Sequence, residues 1–216
     1  MRTDRALRRA FAIALFGCAA IGVSAQGLLD DLAVAIANDR AEDVSRLVAR
    51  GMDPNSVDAK GDTPLCIAAR SGSARSVDAL LAAKANPNRA NRFNDTPLLL
   101  ASLNGNLEIV RKLVAGGAAI DTPGWTPLIY AATGGHNDVV TFLAQRGANL
   151  NAASPNGTTA LMMAVREHRL ETVRLLIGRG ADVNHRNQDG ATALSWAKRG
   201  NEVDLEKELR RAGATD

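Results

Sequence analysis

Three histidines and two cysteines are the residues of this 216-residue chain best suited to metal or nucleophilic chemistry. His136, His168 and His185 never fall at the i, i+4 spacing by which one helix presents two imidazoles to a metal, and no Cys-x-x-Cys occurs. His136 stands where a second helical pattern starts and reads as a local cap rather than a ligand. Cys66 lies among apolar residues with no histidine placed to activate it, which predicts an inert, buried thiol. Gly116-Gly117 and Gly134-Gly135-His136 follow helical patterns rather than a strand, and no lysine-threonine pair comes after them, so neither is a phosphate loop. The carboxylates are scattered, giving no support to paired acid–base work. No catalytic residue, metal site or cofactor is expected, and the chain is not read as an enzyme.

The elements that remain must therefore serve recognition or structure. The sequence is 46% apolar and 23% charged, enough to bury a core over one domain or two small ones. A net charge of +3 looks basic, but its distribution says otherwise. Of 26 Lys and Arg and 23 Asp and Glu, the first 25 residues hold four and one, which leaves 22 of each downstream. A chain without excess cation has no phosphate-neutralising footprint, so nucleic acid is not the expected partner.

That basic start reads as an export leader over residues 1–25. Arg2, Arg5, Arg8 and Arg9 precede an uncharged run from Ala10 to Val23, and Val23-Ser24-Ala25 offers a cleavage site before Gln26. The run is shorter than the roughly 20 residues that span a bilayer. Retention as an anchor is the first alternative. Lipidation at Cys18 is the second, because Leu15-Phe16-Gly17-Cys18 is similar to a lipobox, although Phe16 is bulky for one. Cleavage leaves Cys66 as the sole cysteine, so no intrachain disulfide can form and packing alone must stabilise the mature protein.

Self-similarity organises the rest. Thr63-Pro64-Leu65, Thr96-Pro97-Leu98, Thr126-Pro127-Leu128, Thr159-Ala160-Leu161 and Thr192-Ala193-Leu194 recur at spacings of 33, 30, 33 and 33 residues. Asn55, Asn88, Asp121, Asn151 and Asn184 run in phase with them. Two helical patterns lie between the markers; in the fifth unit Leu161, Ala164 and Val165 form one apolar face and Leu170, Val173 and Leu176 another. The threonine can cap the first helix and the proline after it has no N–H to orphan. Glycines such as Gly72 and Gly51 stand where each helix stops and a left-handed residue is wanted. Neither helix could bury its stripe alone, so the units must stack.

These markers, with Gly147-Ala148-Asn149-Leu150-Asn151 and Gly180-Ala181-Asp182-Val183-Asn184, resemble ankyrin repeats over essentially all of the mature chain. The resemblance implies an all-α repeat solenoid of stacked helix-turn-helix units joined by short β-hairpin loops. Six units are read: 28–60, 61–93, 94–123, 124–156, 157–189 and 190–216, the first and last as caps. Departures from the family pattern carry expectations of their own. Cys66, Leu99, Ile129, Met162 and Ser195 replace a structural histidine, exchanging inter-repeat hydrogen bonds mostly for apolar contacts. Lys84 and His168 occupy glycine positions, at a cost of about 1 kcal/mol for lysine if the left-handed turn is kept. Between Asp121 and Gly124 stand only Thr122 and Pro123, three residues short of the other loops, which predicts a notch in the row of fingers.

In the family, partners meet the concave face formed by finger tips and the exposed edge of each first helix. Carried over by position, that face comprises Lys60, Asp62, Arg70 and Ser71, then Arg92, Phe93, Asp95, Leu103 and Asn104. It continues with Trp125, Thr133 and Gly134, then Asn156, Thr158, Arg166 and Glu167. Phe93 and Trp125 are the two aromatics expected at exposed finger positions, whereas Tyr130, Phe142 and Trp196 are expected in the core; Trp125 could instead plug the notch. The implied function is an exported, monomeric module of a Gram-negative periplasm or the secreted milieu, binding an unidentified protein. The alternative is an inhibitor or immunity protein acting on an enzyme or toxin in the same compartment. No membrane partner is expected after cleavage.

Overall fold

The computed structural model describes residues 25–216. Apart from Ala25, which opens the first helix, the leader expected over 1–25 and the lipobox cysteine lie outside the described residues. Twelve helices run in pairs among the described residues. They are α1 (Ala25–Ala37) and α2 (Ala41–Ala49), α3 (Pro64–Ser71) and α4 (Ala74–Ala82), and α5 (Pro97–Leu103) and α6 (Leu107–Ala115). Then come α7 (Pro127–Gly134) and α8 (Asn137–Gln145), α9 (Ala160–Arg166) and α10 (Leu170–Gly178), and α11 (Ala193–Arg199) and α12 (Val203–Arg211). Odd-numbered helices stack on odd ones and even on even, which makes two layers with a continuous core between them. The protein is an all-α solenoid.

The repeated threonines do the expected work. Thr63, Thr96, Thr126, Thr159 and Thr192 each accept the N–H of the residue three places on, starting α3, α5, α7, α9 and α11. The second marker does something local reasoning does not show. Asn55, Asn88, Asp121, Asn151 and Asn184 each accept a backbone N–H from the following unit, at Asn86, Ala119, Asn149, Asp182 and Thr215. This ladder ties every loop to its neighbour and fixes the spacing of the stack. Leu99, Ile129 and Met162 are buried, as expected for apolar replacements of the family histidine. Cys66 departs from that expectation: its buried thiol lies 3.8 Å from the Arg89 carbonyl and 3.6 Å from that of Asp95, so a weak inter-unit hydrogen bond survives. Lys84 and His168 keep the left-handed conformation, with φ of 65° and 56°.

The fingers are turns rather than ladders; among the described residues the one isolated bridge is antiparallel, Ala153 to Thr159. Phe142 is in the core as expected, flanked by the guanidinium groups of Arg111 and Arg146, each 4.9 Å from its ring. Tyr130 and Trp196 are only half-buried, contrary to their expected core placement. Both follow the third position of the Thr-x-Leu start by two residues, where the side chain points along the edge of the inner layer rather than between layers.

Candidate functional site

Each full-length finger is built by one side chain at its base. Asp58 Oδ1 accepts the N–H of Lys60 and of Asp62, both at 2.8 Å. Asn91 Oδ1 does the same for Phe93 and Asp95, at 2.9 and 3.0 Å, and Asn187 Oδ1 for Asp189 and Ala191. Ser154 Oγ accepts from Thr158 at 3.1 Å. The fourth unit lacks such a base. There Thr122 Oγ1 donates to the Trp125 carbonyl at 3.3 Å and the tip shrinks to Pro123-Gly124, with Gly124 at φ +83°. The finger row therefore has a gap in its middle.

Exposed and half-buried apolar groups lie on both units beside that loop, as they do on the terminal units at Val34, Val57 and Val203. Phe93 is 66% exposed, with the Arg92 guanidinium 4.8 Å from its ring centroid. Leu103, at the end of α5, is 41% exposed. Trp125 is half-buried, packs against the core edge, and tilts at 49° to Tyr130 with ring centroids 5.7 Å apart. Burial, with the Asp95 charge adding to it, pushes the Tyr130 phenol up from its ordinary value.

Other expected face residues are committed to the fold. Asp62 is buried and takes two hydrogen bonds from Arg70, at 2.5 and 2.8 Å, and a third from Asn91 Nδ2 at 2.9 Å. The Arg70 guanidinium holds the Asp62 carboxyl below the usual carboxylate range despite burial. Arg70 is thus exposed but anchored inward, and Asp62 is not available to a partner. Thr158 is buried too, because its position in the finger points into the stack. Asn104 is exposed, yet its side chain donates to the Arg70 carbonyl at 3.0 Å. Asp95 is half-buried, with Asn91 Nδ2 3.4 Å from its carboxylate. Arg166 and Glu167 pair with each other at 3.3 Å. Arg92, Phe93 and Asp95 thus stand on the finger before α5 and Trp125 on the shortened loop, Leu103 lies at the far end of α5, and Arg166 and Glu167 end α9.

A second series links the units at the turns, and sequence reasoning does not find it. His136 Nε2 donates to the Leu103 carbonyl at 2.9 Å, and Arg169 Nε donates to that of Thr133 at 3.2 Å. The cap expected of His136 is absent: its side chain bridges units instead of capping α8. In the last unit the corresponding residue is Glu202, an acceptor that cannot bond a carbonyl. It meets His168 Nδ1 at 3.0 Å, and His168 is the residue that replaces a glycine there. The two exceptions are partners, 34 residues apart, a separation close to the repeat spacing and so visible in principle. A shallow cavity of about 370 Å³ lies beside this pair, walled by Arg166, Trp196 and Arg199.

Cys66 behaves as expected of a structural thiol, fully buried and with burial pushing its pKa up. No group of three His, Cys, Asp or Glu side chains is placed to hold a metal among the described residues. No described helix is long and apolar enough to cross a membrane.

Comparison with known proteins agrees with this architecture. A family model described as ankyrin repeats (3 copies) matches residues 32–123, 75–154, 117–187 and 150–214. An ankyrin repeat domain from Acinetobacter baumannii AYE superposes with a TM-score of 0.77 at 31% identity, covering 85% of this chain and 98% of that one. The human ASB11 ankyrin repeat domain gives 0.78 at 28% identity, covering 85% and 84%. The ankyrin repeat domain of Bcl-3, described as a unique member of the IkappaB protein family, gives 0.76 at 28% identity, covering 86% of each. No curated protein matches the chain significantly. Capped inner helices, an Asn/Asp ladder between units and matches running from residue 32 to 214 lead to one conclusion: the chain belongs to the ankyrin repeat family.

Proposed function

We propose that the protein is an exported interaction module that binds a partner protein through its finger side, centred on units three to five. Ankyrin repeats are in general protein–protein interaction modules. The observation that carries this reading is the exposure of Phe93 on the finger next to the shortened loop that holds half-buried Trp125. On the outer helices, by contrast, charge is largely spent within the protein. Arg75 pairs with Glu42, Lys112 with Asp78 and Glu108, and Arg174 with Glu171 and Glu208. Exposed aromatics ringed by polar groups are where binding energy concentrates. Export rests on the basic, then apolar, leader before residue 26.

The test is affinity capture from a periplasmic extract with the secreted form as bait and a Phe93→Ala/Trp125→Ala double variant as control. A protein held by the wild type and released by the variant supports the reading. Equal retention by a folded variant rejects this surface. N-terminal sequencing of the exported protein examines the leader: Met1 retained, or lipid on Cys18, would reject simple cleavage.

A further inference from the structure

From the second unit to the fifth, the carbonyl at the end of one inner helix takes a side-chain donor from the next unit. Asn104 Nδ2 donates to the Arg70 carbonyl at 3.0 Å, His136 Nε2 to that of Leu103 at 2.9 Å, and Arg169 Nε to that of Thr133 at 3.2 Å. Counted from the capping threonine of their own unit, these donors stand eight or ten residues on. In the sixth unit those two positions are Gly200 and Glu202. Glycine has no side chain, and a carboxylate has no proton to give. The Arg166 carbonyl, which they would serve, accepts no hydrogen bond from the described chain. By the geometry of the repeat it faces those same two residues, and both wall the cavity of about 370 Å³ between the fifth and sixth units.

The charges around this open acceptor are mostly matched. His168 and Glu202 bond each other, Arg166 is paired with Glu167, and the neighbouring Lys198 with Asp216. Arg199 is the cation left over: it is exposed and makes no hydrogen bond, ion pair or ring contact among the described residues. Asp204, the unpaired carboxylate nearest in sequence, stands in the first turn of α12 and does not wall the cavity. Trp196 is half-buried, no cation lies over its rings, and its indole N–H bonds nothing in the described chain. The cavity therefore offers one carbonyl acceptor, one unanswered cation and an apolar wall of Trp196 and Val165.

We propose that this cavity binds the C-terminal residue of another polypeptide. Its carboxylate meets Arg199, its amide N–H bonds the Arg166 carbonyl, and an apolar side chain covers Trp196. A chain end carries all three groups on one Cα, and its single negative charge answers the single free cation. An Asp or Glu side chain fits less well, because one or two further carbons separate its carboxylate from its N–H. The protein's own C-terminus is already engaged, with Asp216 held by Lys198, Arg210 and Arg186. The site goes beyond the finger-side surface of Phe93 and Trp125 and does not depend on it.

The probes are acetylated tetrapeptide pools, each defined by its last residue and mixed elsewhere, made once with a free terminal carboxylate and once with a carboxamide. Binding to the full chain is read from the emission of Trp196 alone, in a Trp125→Phe background. Pools ending in apolar residues should titrate the signal to saturation as free acids and bind at least about tenfold more weakly as amides. Arg199→Gln should weaken the acids by a similar factor. Gly200 ends α11 with φ −82° and ψ −2°, close to the −83° and −4° of Asn104. Gly200→Asn can therefore supply the Asn104 type of donor without backbone strain, since the nearest atom to its Cβ is the flexible Glu202 Cγ at 3.3 Å. It should keep or raise the melting temperature and still lose at least about tenfold in binding, whereas Phe93→Ala should change neither. Equal binding of acid and amide pools, both of which contain Asp and Glu, would overturn the chain-end assignment. Unchanged binding by folded Gly200→Asn would overturn the role of the Arg166 carbonyl, and no saturable signal from any pool would overturn the site; extract capture judges the finger-side reading independently.

Discussion

Replacing Gly134 with alanine should change sign with its background. Gly134 ends α7 and has no left-handed φ, so alanine there would ordinarily stabilise the helix by about 0.5 kcal/mol, the low end for a terminal position. Here the new Cβ would sit 2.3 Å from Nε2 and 2.4 Å from Cδ2 of His136. The ring cannot swing clear without breaking its 2.9 Å bond to the Leu103 carbonyl. Losing that bond costs about 1 kcal/mol, and the repacking adds about 1 more. Gly134→Ala should therefore destabilise the wild type by about 1.5 kcal/mol and stabilise a His136→Ala protein by about 0.5, a coupling of about 2 kcal/mol. Urea melts of the four proteins measure it, provided the m-values agree. If alanine stabilises both backgrounds alike, His136 is not wedged between units four and three in the way described, and the bridging series loses a member.

Four further outcomes follow from single sites. Because Arg70 holds the Asp62 pKa down, their contact contributes fully above the unfolded carboxyl value near about 4 and is lost as pH falls through the folded one; stability measured through the acid range should fall less steeply in Asp62→Asn, and an unchanged slope would contradict the pairing. Arg70→Ala should cost about 1–2 kcal/mol at pH 7 in the same melts, discounted because the arginine is nearly half exposed. Cys66 should resist iodoacetamide until its unit opens, so labelling should track denaturant; rapid native labelling would show that the thiol is not buried. Lys84→Gly should raise stability by about 0.5–1 kcal/mol, since Lys84 is exposed and makes a left-handed turn that glycine adopts freely; a loss would mean that the lysine stem contributes packing.

The architecture was legible in the chain because it is made of local decisions repeated in phase. Thr63 capping Cys66 involves residues three apart, and the same grammar recurs four more times, so the period alone announces helices, turns and stacking. The gap was legible too, as three residues missing between Asp121 and Gly124. What only the tertiary structure decided concerns side chains that reach across a unit boundary or choose between two faces of one turn. Arg70 and Glu167 look alike as exposed face residues, but Arg70 turns back onto buried Asp62. His136 has a cap's position and serves as a bridge, while Glu202 takes His168 because a carboxylate cannot bond a carbonyl. Thr158 and Trp125 hold equivalent finger positions, yet the short hydroxyl side chain folds into the stack and the indole, too large for that space, stays at its edge. Repeat spacing sets which residues become neighbours, whereas the side-chain volume and hydrogen-bonding capacity at each boundary decide where they point.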